Sequence, residues 1–183
     1  IGGHSDGHAY SILGIENELD LILRNPWSSL NNNDEFVQKQ FDFMMRHPEC
    51  SLAVHASRWI NCISGEGYEF HPFESSRFLS GSELIIKKHG NPSTASTFMR
   101  RETYFYPEEF PWCDVGDVRR QLYALICGKV YYDNNVMCVY RYMHDGSWTK
   151  DIENSYDKYF LHSILMVKFF LEFNNYTKAI YNK

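Results

Sequence analysis

Cys113-Asp114-Val115-Gly116-Asp117, continued by a run to Cys127 and then by Gly128-Lys129-Val130-Tyr131-Tyr132, is the stretch on which the fold turns. Leu122, Leu125 and Ile126 fall on one helical face, and Gly128 stands just past them. Residues 115–127 are therefore predicted to form a helix closed by a glycine. Val130–Tyr132 and Val136–Tyr142 are β-branched and aromatic, so they read as two strands with a turn at Asp133-Asn134-Asn135. Asp114 and Asp117 open the helix, where its dipole and free N–H groups favour a carboxylate. Either acid serves there as a cap. A carboxylate at an element end facing a cleft also suits general-base work.

Upstream, Asp34 is a helix cap, and Val37, Phe41, Met44 and Met45 form an apolar stripe that stops at His47-Pro48. Ser51–Ile60 reads as a strand in which Leu52, Val54 and Ala56 alternate with His55, Ser57 and Trp59, and 68–73 as a second, irregular one. Ser80-Gly81-Ser82-Glu83 is a capping box opening a short helix that Gly90 closes. Thr94–Arg101 reads as extended, and a long helix is predicted over 152–173. Residues 1–33 pattern poorly, with a short helix at Glu16–Leu23 ended by Pro26. The expected fold is mixed α/β in a chain of 183 residues, enough for one core.

Composition narrows the function classes. The net charge is −5 and no long basic run exists, which disfavours nucleic acid as a partner. The five cysteines form no C-x-x-C pair and are odd in number, which fits free thiols better than a disulfide framework or a zinc site. The amino-terminal IGGHSDGH lacks the regions of a signal peptide, and the apolar stretch Tyr159–Phe173 is broken by His162, Ser163, Lys168 and Glu172. A cytoplasmic location is the expectation, and Asn175-Tyr176-Thr177 is read as a chance glycosylation sequon. Because the first residue is Ile, the chain is expected to be a fragment, a processed product or a trimmed piece. Aromatic residues make up 16% of the chain, which suits a core of large side chains and also suits sugar or flat-ligand binding.

Two further blocks carry chemistry. Val139-Tyr140-Arg141-Tyr142-Met143-His144-Asp145-Gly146-Ser147-Trp148-Thr149 leads a strand into a Gly-Ser loop. Arg141 can neutralise a diphosphate, His144 can meet a metal or phosphate, and Trp148 can stack on a sugar or base. Pro92–Arg101 is a small, polar segment ending in Arg100-Arg101. Taken singly, each of these residues also has a plain surface or packing reading.

In this order the blocks resemble family 2 glycosyltransferases. The resemblance runs over about residues 34–180: the 34–47 helix, the strand ending near Ala53-Val54-His55-Ala56, Ser96 with Arg100-Arg101, Gly116-Asp117, Gly128–Tyr132, Val139-Tyr140-Arg141, Gly146-Ser147-Trp148-Thr149 and the tail 171–177. It implies a partial GT-A-like fold, a mixed sheet with flanking helices, in which 34–183 is the carboxy-terminal, acceptor-side half and 1–33 a poorly matched amino-terminal segment. The implied reaction moves a sugar from a nucleotide-sugar donor to a glycan or lipid-linked acceptor, with peripheral membrane association as an accompanying expectation. Asp117 matches the family's general base and Asp114 is the fallback, while Arg100, Arg101, Arg141, His144 and Trp148 are expected to bind substrate.

The departures are specific. Such enzymes hold Mg²⁺ or Mn²⁺ on the donor diphosphate through an Asp-x-Asp-type motif just before the 34–47 helix. Residues 20–34 contain no such pair, and Asn25-Pro26-Trp27 keeps only the tryptophan. A divalent metal is thus expected for the intact enzyme and none on this chain. Gly116-Asp117-Val118-Arg119 stands where the family often has Gly-Asp-Tyr-Pro. Gly3-His4-Ser5-Asp6-Gly7 formally matches a nucleophile elbow but has no strand before it, and His4, Asp6 and His8 are read as a terminus rather than a metal site. The alternative is a non-catalytic α/β remnant or binding module.

Overall fold

The computed structural model describes residues 10–13, 21–24, 33–86, 92–153 and 155–181, with backbone alone at 10–13, 21–24, 33–37 and 153. His4, Asp6, His8, the Gly3–Gly7 motif, Asp20, Asn25-Pro26-Trp27 and Gly90 lie outside the described residues. The strands are β1 (Tyr10–Leu13), β2 (Leu21–Arg24), β3 (Cys50–Asn61), β4 (Gly67–Phe70), β5 (Arg77–Leu79), β6 (Thr97–Arg100) and β7 (Lys129–Tyr142). The helices are α1 (Asn33–Arg46), α2 (Gly81–Ile86), α3 (Gly116–Cys127), α4 (Trp148–Glu153) and α5 (Tyr156–Tyr176). The strand order is β1-β2-β6-β3-β7-β5, with β4 also paired to β3. The pair β3/β7 is parallel and the other pairings are antiparallel. The mixed α/β expectation holds at that level.

The core explains the layers. On one face Leu52, Val54 and Ala56 of β3 join Val118, Leu122 and Leu125 of α3 and Phe169 and Phe173 of α5. On the other, Ala53 meets Met44 of α1 and Phe98 of β6. Both faces of β3 are covered, so Cys50–Ser57 are all buried rather than alternating in and out as expected. Burial of each large apolar side chain contributes about 1.5–3 kcal/mol, which is why the central strand sets the architecture. Its polar members find partners: Ser51 Oγ donates to Ala124 O at 2.6 Å, and Ser57 Oγ accepts from Trp59 Nε1 at 3.0 Å.

Several expectations need correction. The turn at Asp133-Asn134-Asn135 is instead a bulge inside one continuous β7: His55 pairs with Asp133 and Ala56 with Val136. Buried β3 requires a backbone partner on both sides of the bulge, so the strand continues. The helix expected over 152–173 is two helices, α4 and α5, separated where the Ser155 side chain accepts from Lys158 N. Residues 21–23 belong to β2, not to a helix, and residues 16–20 lie outside the described residues. On α1 the buried positions include Gln40 and Met44, while Met45 is 49% exposed and off the expected stripe. Thr94–Ser96 form a short 3-10 turn before β6, and β5 had no sequence signal. The capping box is formed as read: Ser80 N donates to Glu83 at 2.9 Å, and Glu83 N to Ser80 Oγ at 3.3 Å. All five cysteines are free thiols.

Gly128 fixes how α3 enters β7. Its N–H closes the helix on Ala124 O at 3.1 Å. A Cβ there would stand 2.8 Å from Glu49 O and 2.9 Å from Ser51 Cβ, so only glycine lets the helix end approach the start of β3 this closely. Twelve residues of α3 span about 18 Å, which carries its first turn toward the carboxyl ends of β3 and β7.

Candidate functional site

In open α/β sheets, side chains beyond the carboxyl ends of parallel strands line the usual binding crevice. The start of α3 is at that end, and polar groups gather there. Asp117, half-buried, accepts a hydrogen bond from the Thr94 hydroxyl through one oxygen and from Val118 N at 2.8 Å through the other. Tyr140, on β7, is near enough to sense it: burial raises the phenol's pKa, the Asp117 charge adds to that, and a hydrogen bond with Thr149 opposes it. Three residues earlier, Asp114 Oδ2 accepts from His162 Nδ1 of α5 at 2.8 Å. The His162 ring meets Trp148 edge-on, with centroids 4.9 Å apart at 80°.

The local chain accounts for this convergence. Asp114 and Asp117 sit at the amino end of α3, where the helix dipole favours negative charge. The loop from β7 to α4 is turned by Met143 at φ 62° and Gly146 at φ 76°. That left-handed pair delivers Trp148 and Thr149 onto α4, where Trp148 meets α5. Ser155 then caps α5 and sets His162 over Asp114. With Nδ1–H donated to Asp114, the other nitrogen, Nε2, is the one left for a ligand. A carboxylate, an oriented imidazole and an indole that is 52% exposed can together hold a polyhydroxylated ring: acids accept from hydroxyls, and the indole face packs against C–H groups.

The other candidates are distributed differently. Arg141, exposed on β7, pairs by its backbone with Ile60, and exposed His144 stands in the same loop, its Nδ1 donating to Asp145 O at 2.9 Å. Arg100 is at the opposite end of the sheet. Its guanidinium donates to Cys50 O (2.7 Å), Met44 O (2.8 Å) and His47 O (3.2 Å), tying the end of α1 to the start of β3. Ten residues of β3 separate the two ends, roughly 30 Å. Arg101 is exposed in a short 3-10 turn, Arg101–Thr103. In the Gly116-Asp117-Val118-Arg119 variation, Val118 is buried in the core, and Arg119 stacks its guanidinium 3.9 Å from the Tyr106 ring centre and donates to Phe110 O at 2.6 Å.

Sequence reasoning missed His162 and Thr94 as partners of the two acids. His162 had one signal, a titratable ring within the most apolar stretch of the chain. Mg²⁺ or Mn²⁺ needs several oxygen ligands. Asp114 and His162 supply one carboxylate and one imidazole, and no three metal-ligating side chains converge among the described residues. The described residues do not fit that ion. Burial raises the Cys50 thiol to about 11 and the Cys138 thiol to about 12, which disfavours the reactive thiolate at both.

Comparison with known proteins finds no matching family model, no matching curated protein and no matching solved structure. Fold and site together define a mixed α/β domain with a cluster of acidic and aromatic side chains at the start of α3.

Proposed function

We propose that this chain is the acceptor side of a GT-A-type glycosyltransferase domain, with Asp117 as the general base. The reading rests on the ordered motif set and on one observation: Asp117 already accepts a hydroxyl hydrogen bond, from Thr94, beside Tyr140 of β7. An acceptor sugar hydroxyl would take the place of the Thr94 hydroxyl, lose its proton to Asp117 and attack the anomeric carbon of the donor as the nucleotide diphosphate departs. Trp148 and the His162–Asp114 pair would hold the acceptor ring, and Arg141 and His144 would face the donor phosphates. The nucleotide sugar, the glycan or lipid-linked acceptor and the divalent metal of the intact enzyme belong to this proposal, as does a place at the cytoplasmic side of a membrane. No described helix is long and apolar enough to cross one.

The test is turnover of the intact enzyme. Asp117→Asn keeps the hydrogen-bonding shape and removes the base, so kcat should fall roughly 10²–10⁴-fold with donor affinity unchanged. Unchanged turnover removes Asp117 from catalysis. A second reading, a non-catalytic binding module, is favoured by the two hydrogen bonds that Asp117 already accepts, one on each oxygen, from Thr94 and Val118 N. It predicts saccharide binding without transfer, and that Asp117→Asn alters stability alone.

A further inference from the structure

A row of aromatic side chains crosses the sheet where β4, β3 and β7 run side by side. Tyr68 and Tyr140 stand directly across from Trp59 in register, one on each side. Phe70 and Tyr142 lie two residues along β4 and β7, on the same face by strand alternation. The Trp59 ring centre is 6.1 Å from that of Tyr68, 4.9 Å from Phe70, 4.7 Å from Tyr140 and 5.7 Å from Tyr142. The five rings pack on one another and stand outside both buried cores. All keep some solvent access, and Tyr68 is 49% exposed. The row is also held in place. The Trp59 indole N–H donates to Ser57 Oγ at 3.0 Å, which fixes the ring. The turn from β3 to β4 is closed by the Asn61 side chain, which accepts from Ile63 N at 2.8 Å, and by Gly65 at φ 76°. At Gly67 a Cβ would stand 2.9 Å from Trp59 O, so glycine lets the two strands approach closely beside the row.

We propose that this row binds a neutral glycan chain that continues into the Trp148 cluster. Hydroxyl chemistry is the first argument. Partial burial and the neighbouring Tyr142 phenol both raise the Tyr68 pKa, so two phenol hydroxyls stand near each other at the row. They can donate to and accept from sugar hydroxyls while the ring faces pack against C–H groups. Charge is the second. Arg58, Glu69 and Arg141 alternate to the opposite face of the same strands, which leaves the row a neutral surface rather than one matched to phosphates. Shape is the third. The rings meet Trp59 at 33° to 56°, a stepped surface on which a planar base would stack against one ring alone. Puckered sugar rings, each turned against the last, follow such steps. Continuity is the fourth. Tyr140 hydrogen-bonds Thr149, the neighbour of Trp148, and lies close enough to Asp117 to sense its charge. Two interstrand spacings, roughly 10 Å, separate Tyr68 from Tyr140, the length of a disaccharide. The row binds sugar whether or not Asp117 is a base, so it goes beyond the acceptor-site reading.

Isothermal titration calorimetry of the 183-residue chain with maltotetraose, cellotetraose, chitotetraose and mannotetraose tests the proposal. At least one should bind saturably, with Kd between about 10 µM and about 1 mM. Tyr68→Ala should weaken that binding about tenfold with circular dichroism unchanged. Tyr68→Phe, which loses the hydroxyl alone, should weaken it about threefold. Trp59→Ala should abolish it; should that variant unfold, the two Tyr68 variants decide alone. Trp112→Ala removes an exposed indole elsewhere and should leave binding intact. The turnover loss expected of Asp117→Asn is a separate readout, so either reading can fail while the other stands. Failure of all four sugars to bind overturns the proposal, as does unchanged affinity in folded Tyr68→Ala. Tighter binding of oligothymidylate than of any of these sugars would make the row a base-stacking surface and overturn it equally.

Discussion

The two ends of the parallel pair β3/β7 are built to opposite plans. At the starting end, Gly128 closes α3 against Glu49 and Ser51, Ser51 ties Ala124, and Arg100 takes up three backbone carbonyls. At the finishing end, Asp114, Asp117, His162 and Trp148 stand half-buried or exposed, joined by polar and aromatic contacts between side chains. The first end is closed by short-range geometry. The second holds charge at a helix start, on side chains that remain partly exposed. Stability and chemistry are thus separated along one strand pair, and residues of the same type take different roles by position. Arg100 belongs to the closed end, Arg141 to the open one.

That separation can be broken most strongly from the interior of β3. His55 is 1% exposed, and burial pushes its imidazole down to about 4. Asp133 and Lys39 face it, the first favouring its protonation and the second opposing it. Its folded pKa lies below the ordinary 6.5, so its contribution is complete above pH 6.5 and erodes as pH falls toward 4. About 3 kcal/mol of stability should be lost across that window, read from urea midpoints at a series of pH values. His55→Gln should flatten the slope there; an unchanged slope would mean that another group sets it. Arg100→Met comes next and probes the closed end: about 2 kcal/mol of stability should be lost with saccharide binding untouched. Loss of binding with stability intact would move Arg100 into the site. The smallest effect belongs to the open end. Asp114→Asn should cost about 1 kcal/mol, while releasing the His162 ring, visible in its imidazole nitrogen resonances.

Local signals were legible in the sequence wherever one segment decides its own structure. The α3 helix, its closing glycine and the Ser80–Glu83 box were read nearly to the residue, since caps and periodicity are local. The bulge at Asp133–Asn135 was misread as a turn because its geometry is dictated by β3, some 80 residues away in the chain. The break at Ser155 was hidden by apolar residues on both sides. His162 was invisible as a site residue because its partner, Asp114, comes from another helix. Asp114, Asp117 and Trp148 were read individually from their types and do share the open end. That Arg100 serves the closed end follows only from which carbonyls the fold places before it.

The central claim, that the open end of α3 receives a sugar, is tested most directly by nitrogen-15 NMR of the chain during titration with mono- and disaccharides. The account expects the Trp148 indole and the amides of residues 114–118 to shift together and saturably, with the Trp112 indole and the Arg100 region still. Shifts confined to the Arg100 end, or no saturable shift at Trp148 with any saccharide, would contradict it.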